Sequence, residues 1–189
     1  MSIQPEAASR YALELIDEAS MPMHVDVEIR QLLCEVFAEA RENFAQTRAW
    51  HGSGPAYTVI GRIDGALAGH IGVVQRHIRA GKDEIEIFGI QNFAVRKTAR
   101  GTGLGLALMA VAVAEAKNRR LKWGVLFCVP ALEKYYAGMG WRKIDVDVIM
   151  INPDSGREEA IPNKNIAMVL EHAGLPFPEG SIHLMGADW

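Results

Sequence analysis

The chain has 189 residues, 49% apolar and 23% charged, with a net charge of −3. That is enough for one domain with a substantial core and short for two, so a single unit spanning 1–189 is expected. The slight acidic balance gives no reason to expect nucleic acid as a partner, and no run reaches the ~20 apolar residues of a membrane span. Cys34 and Cys128 lie in apolar runs and read as reduced, buried thiols of a cytoplasmic protein, not as a disulfide. The start lacks a basic segment followed by an apolar one, so no signal peptide is expected.

In chain order, residues 1–8 read as a loose lead-in, and Tyr11 to Ile16 alternates weakly as a first strand. From about Val25 to Ala45 the pattern is helical: Ile29, Leu32, Leu33, Val36 and Phe37 fall at three- and four-residue spacing. Gly52, Ser53 and Gly54 mark a loop. Tyr57 to Ile63, Ala66 to Ile78 and Glu84 to Val95 read as antiparallel strands, the first two joined by the hairpin signal Asp64-Gly65. A mostly buried helix is expected from about Gly103 to Arg119. Trp123 to Val129 follows as a buried strand, linked back by a parallel crossover. A short helix runs from Pro130 through Tyr136 and stops at Gly138 and Gly140. Trp141 to Ile151 and Lys164 to Leu170 read as the last strands, with a turn at Asn152 to Gly156 and a tail ending at Asp188-Trp189. No repeat or domain linker is visible.

The stretch Val95-Arg96-Lys97-Thr98-Ala99-Arg100-Gly101-Thr102-Gly103-Leu104-Gly105 stands out. A strand, a basic glycine-rich turn and a helix start make a phosphate cradle: bare amides and the positive helix end face an anion. Glycine in a first helical turn costs up to about 1 kcal/mol against alanine, a cost that close approach of the backbone to a ligand would offset. Glycine spacing alone is a weak signal.

Arg100-Gly101-Thr102-Gly103-Leu104-Gly105 resembles the Arg/Gln-x-x-Gly-x-Gly/Ala pyrophosphate motif of the GCN5-related N-acetyltransferases. Phe93-Ala94-Val95 is similar to their central strand, and Tyr135-Tyr136-Ala137-Gly138-Met139-Gly140-Trp141 to their later Tyr-x-x-x-Gly-Phe/Trp signature. The resemblance covers most of the chain. It implies an α+β fold: a central mixed, mostly antiparallel sheet of six to seven strands, with a parallel splayed pair and flanking helices. Within that superfamily, Thr47 to Gly52, Ala68 to Arg76 and Pro178 to Ile182 resemble the rhizobial nodulation N-acyltransferases, which acylate the free amine of a chitin oligosaccharide from an acyl carrier protein. The aminoglycoside 2′-N-acetyltransferases are similar, down to a C-terminal Trp. The loop here is more basic than expected of the nodulation group, which suits the extra phosphate of free coenzyme A.

What the resemblance implies about chemistry is direct attack of an amine on acetyl-CoA. Phe93, Ala94, Val95, Arg96, Arg100, Gly101, Thr102, Gly103, Leu104 and Gly105 would hold the cofactor, and the Val95 N–H would polarise the thioester carbonyl. Tyr136 matches the family's general acid for the leaving thiolate; helix packing is its other reading. The base is open. Relatives often carry a Glu where this chain has Gln91, which cannot take a proton; Glu84, Glu86, His51, His70 and His77 are alternatives. No metal is expected, since the odd spacing of His70 and His77 puts them on opposite faces of a regular strand. Trp50, His51, Gln91, Asp188 and Trp189 are candidates for the acceptor side, with an amino sugar or aminoglycoside-like small molecule as substrate. Trp50 could instead cap the core, and the tail could fray. A homodimer is compatible with this reading. A non-catalytic sensor binding acyl-CoA is the competing function, and Gln91 is the residue that favours it.

Overall fold

A computed structural model describes residues 11–50, 52–162, 164–172 and 174–189. The first strand, β1 (Ala12–Asp17), is followed by α1 (Met23–Val36) and the one-turn α2 (Arg41–Phe44). Three strands come next: β2 (Tyr57–Ile63), β3 (Ala66–Ala80) and β4 (Asp83–Val95). The long α3 (Leu104–Asn118) leads to β5 (Trp123–Cys128) and the short α4 (Glu133–Ala137). The remaining strands are β6 (Arg142–Ile144), β7 (Val148–Ile151), β8 (Glu158–Ala160), β9 (Ile166–Glu171) and β10 (Ile182–His183).

All ten strands among the described residues join one sheet, ordered β6-β9-β5-β4-β3-β10-β7-β8, with β1 and β2 branching from the first half of β3. The fold class is the mixed α+β one expected, but the strand count exceeds six to seven. β8 and β10 are short additions, and the predicted strand from Trp141 to Ile151 is two strands at opposite ends of the sheet. β6 pairs with β9, whereas β7 lies between β8 and β10. The break falls at Asp145-Val146-Asp147, where aspartates disfavour a continuous ladder. The helix expected from Val25 to Ala45 also breaks. Phe37 leaves helical geometry at φ −113°, ψ 65°, and its ring packs on Phe44 and Trp50, 5.6 and 6.3 Å away. Tertiary packing outweighs local propensity there.

Burial explains the layers. One face of the sheet packs against Leu104, Leu108, Met109 and Ala112 of α3, which meet Tyr57, Val59, Ile71, Val73, Phe88 and Ile90. The other face carries two separate apolar clusters. One lies under α1, from Ile29, Leu32 and Leu33 to Ile60, Leu67 and Ala94. The other lies under the C-terminal segment, where Ile85, Ile87 and Val125 meet Ile182, Leu184 and Trp189. Along β3 and β4 the strip between these clusters is polar: His70, Gln91 and Asn92 are all buried there.

That strip coincides with a break in the sheet. β4 and β5 are parallel but pair only over Phe88–Ile90 against Gly124–Leu126. β4 continues to Val95 paired with β3 but no longer with β5, so β4 and β5 splay apart. Where they part, β4 carries a bulge against β3: Gly72 faces Gln91 and His70 faces Ala94, and Asn92 takes φ +50°.

The paired base of the splay is tightly filled. A Cβ at Gly124 would lie 2.5 Å from Phe88 Cζ and 2.8 Å from Trp141 Cη2. Gly124→Ala should therefore destabilise the fold by about 1–3 kcal/mol through overpacking, measured by chemical denaturation.

Candidate active site

The loop after β4 is built by backbone geometry. Gly101 and Gly103 take φ +77° and +89°, conformations that carry no steric cost only for glycine. Gly103 caps α3 from outside the helix. The first helical bond runs from Ala107 N–H to Gly103 O, so the amides of Leu104, Gly105 and Leu106 precede the ladder at the helix's positive end, with Leu104 N–H donating to Thr102 Oγ1 at 3.4 Å. Thr102 Oγ1 donates to Ala99 O at 2.7 Å and fixes the turn. Gly105 answers a different need: a Cβ there would collide with Tyr135 Oη and meet Phe93 Cζ at 3.4 Å. Two basic residues of the loop are tied locally. Arg100 Nε donates to Val95 O at 3.2 Å, and Arg96 reaches across to Glu35 of α1 at 3.3 Å.

Phe93, Tyr135 and Tyr136 form one aromatic group at the open end of the splay, with ring centroids 5.5–6.2 Å apart. Adjacent helical residues diverge by about 100°, and the two tyrosines do so here. Tyr135 is half-exposed, whereas Tyr136 is buried against Trp141. Burial raises the Tyr136 pKa well above that of a free phenol, with the neighbouring Cys128 and Tyr135 adding to it, so the hydroxyl stays protonated at neutral pH. Burial likewise pushes the Cys128 thiol up to about 11.

On the face opposite α3, the loop before β2 is stitched down over the polar strip. The Arg48 guanidinium is buried and pairs with Asp26 at 2.6 Å and with Glu18. Arg48 O accepts from Asn92 Nδ2, and Ser53 O accepts from Gln91 Nε2 at 2.9 Å. Ser53 Oγ donates to Asp188 O at 3.1 Å. Arg76 clasps the C-terminal segment, donating to Leu184 O and Ala187 O at 2.9 and 2.8 Å. Its guanidinium lies 5.3 Å from the Trp189 ring centroid. Trp189 packs on Phe127 of β5 and over Gly89, where a Cβ would lie 2.5 Å from its Cε2.

The predicted acceptor-side residues are thus largely brought together. Gln91 and Asp188 both meet Ser53, and Asp188 and Trp189 are buried, not frayed. Trp50 sits at the edge of this group with its ring against Phe44, 4.6 Å away. His51 lies outside the described residues. Among the base alternatives, Glu84, Glu86 and His77 are exposed on the distal half of the β3–β4 hairpin, whereas His70 is buried at the bulge. Ser53, Arg76 and Asn92 were missed. An asparagine inside an apolar strand was the one available signal, since Asn is depleted in strands.

Solved structures of the GNAT fold superpose on the chain. A GNAT family N-acetyltransferase from Escherichia coli, YhbS, in complex with CoA, is 15% identical at a TM-score of 0.66, covering 97% of this chain and 94% of its own. An acetyltransferase from Brucella melitensis in complex with acetyl-CoA is 18% identical at 0.60, covering 90% and 94%. Escherichia coli ElaA is 17% identical at 0.61, covering 85% and 99%. The chain belongs to the nodulation protein A family, whose model matches residues 13–181. By family and fold it is an acyltransferase. No curated protein matches it. No helix among the described residues is long and apolar enough to cross a membrane.

The buried polar strip has a pH signature. Burial pushes His70 down to about 4 from 6.5, with the Arg48 guanidinium opposing its charging and the Asn92 carbonyl partly offsetting both. The unfolded chain therefore takes up a proton before the folded one does. The contribution to stability is complete above pH 6.5 and is lost as pH falls from there through about 4, by roughly 3 kcal/mol in all. Denaturation midpoints should fall over that window in the wild type and fall less in His70→Asn.

Proposed function

We propose that the chain transfers an acetyl group from acetyl-CoA to the primary amine of an amino sugar or an aminoglycoside-like small molecule. The observation that carries this is the divergence of β4 from β5 directly before the glycine loop. The loop amides and the α3 N-terminus suit a pyrophosphate, and the CoA and acetyl-CoA complexes of structural relatives support that donor. The open strands would admit the pantetheine arm, with the Val95 amide placed to polarise the thioester carbonyl. Tyr136, kept protonated by burial, would protonate the leaving thiolate. The acceptor would enter from the face of Ser53, Gln91 and Asp188, where the Asp188 carboxylate suits a cationic sugar. The free cysteines, Cys34 and Cys128, fit a reducing cytoplasm. The nodulation-family membership supports the amino-sugar class.

Gln91 favours a second reading, an acyl-CoA sensor without turnover, because its amide is committed to Ser53 O and cannot take a proton. Thiol release from acetyl-CoA with glucosamine, chitosan, aminoglycosides and a lysine peptide separates the two. Turnover with the sugars is expected. None with any amine supports the sensor, and turnover with the peptide alone removes the sugar assignment. Asp188→Asn should raise acceptor KM and leave acetyl-CoA affinity unchanged. A deletion of the tail would be a poorer test, because Trp189 is part of the core.

Two variants address the donor side. Gly103→Glu places a charged side chain at φ +89° beside the helix start, and calorimetry should show acetyl-CoA binding weakened at least about tenfold. Tyr136→Phe should lower kcat by about 10²–10⁴-fold with acetyl-CoA affinity little changed. An unaltered kcat, with chemistry rate-limiting, would leave Tyr136 a packing residue.

A further inference from the structure

Among the described base alternatives, His70 alone is buried at the β3–β4 bulge. It lies on β3 opposite Ala94, across the bulge that opens β4 from β5, and its side chain is 1% exposed. The ring's orientation is set by its Nδ1, 2.8 Å from the Asn92 backbone carbonyl. A carbonyl only accepts, so Nδ1 carries the proton and donates. Burial holds the ring neutral. The other nitrogen, Nε2, is therefore a bare lone pair, and it has no hydrogen-bond partner among the described residues. An unpaired buried acceptor is costly, so its retention asks for a donor.

The surroundings fit such a donor. The edge of the ring borders Gly72, where a Cβ would lie 3.5 Å from His70 Cε1 and 3.2 Å from Gln91 Cγ. Glycine is what lets the histidine and Gln91 side chains come this close, since even a methyl there would crowd Gln91. A second buried acceptor of the same strip, Asn92 Oδ1, is also without a partner among the described residues. Nearby charge is cationic: the Arg48 guanidinium, itself paired with Glu18 and Asp26. At the strand position nearest the bulge stands Gln91, which cannot take a proton.

We propose that His70 Nε2 accepts the proton of the attacking amine, directly or across one water. This rests on the amine-acylation reading above. The amine nitrogen's lone pair forms the N–C bond to the thioester carbonyl carbon. The nitrogen becomes cationic and strongly acidic, and gives one proton to Nε2. The C–S pair leaves with sulfur, which takes a proton from the Tyr136 hydroxyl. Solvent then removes the imidazolium proton and restores the phenol, so the net change moves one proton from nitrogen to sulfur. A ring of depressed basicity suffices because its proton comes from the cationic adduct, not from the free ammonium.

The test uses His70→Asn, whose amide can still donate to Asn92 O while no atom remains at the Nε2 position. With the wild type turning over a sugar amine, the variant should lose about 10²–10⁴-fold in kcat with acceptor KM and acetyl-CoA affinity little changed. A variant with wild-type kcat overturns the assignment and leaves the acylation reading standing. Wild type that releases no thiol with any amine overturns both. If the variant does not fold, nitrogen-15 NMR of the histidine-labelled wild type decides: His70 should be protonated on Nδ1, and saturation with glucosamine in the presence of CoA should shift Nε2. An Nε2 resonance unmoved at saturation, or a ring protonated on Nε2, overturns the proposal.

Discussion

The structure depends on the point at which β4 stops pairing with β5. Three paired residues on each strand hold the base of that junction, and Gly124 lets Phe88 and Trp141 close over it. Beyond Ile90 the ladder is abandoned. The bulge at Asn92 twists β4 away, and the residue that makes it also supplies the bonds that anchor its surroundings. Its carbonyl takes the His70 ring and its side-chain amide takes Arg48 O. A strained φ of +50° in an asparagine is affordable where so many bonds over-determine it.

From that junction the two faces divide the work. On one, α3 packs through Leu104 and Leu108 and points its glycine-capped start at the open strands. On the other, two apolar clusters leave a polar gap, roofed by the loop before β2 and by the C-terminal segment. These roofs are held by a few buried groups. Arg48 is the keystone of one: with its guanidinium buried, loss of both Glu18 and Asp26 would leave a charge unpaired, which is far costlier than breaking a surface pair. Arg76 is the keystone of the other, through backbone carbonyls more than through charge. Burial lowers the Arg76 pKa, and the nearby Asp188 carboxylate opposes that shift.

Features written in neighbouring residues were legible in the sequence. The glycine loop, the α3 apolar pattern and the Tyr136 signature are local, and each appears where the pattern places it. Gly103 differs in detail, serving as a left-handed cap instead of a residue of the first turn. What escaped was set by partners far apart in the chain. Arg76 meets residues more than a hundred positions away, and nothing near it announces a clasp. The split of Trp141 to Ile151 into β6 and β7 needed knowledge of which strands lie at the two ends of the sheet. The Asn92 bulge is a register event, visible only once β3 and β4 are paired. His70 emerged among the alternatives from its burial at that bulge, a register event that strand periodicity does not show.

The central claim is that one opening in the sheet serves donor and acceptor from opposite faces. A crystal structure of the chain soaked with coenzyme A tests it most directly. The account predicts the pyrophosphate against the amides of residues 101–105 and the pantetheine arm running between β4 and β5 toward Val95 and Tyr136. Coenzyme A bound elsewhere, or a β4–β5 junction closed by side chains with the cofactor excluded, would contradict it.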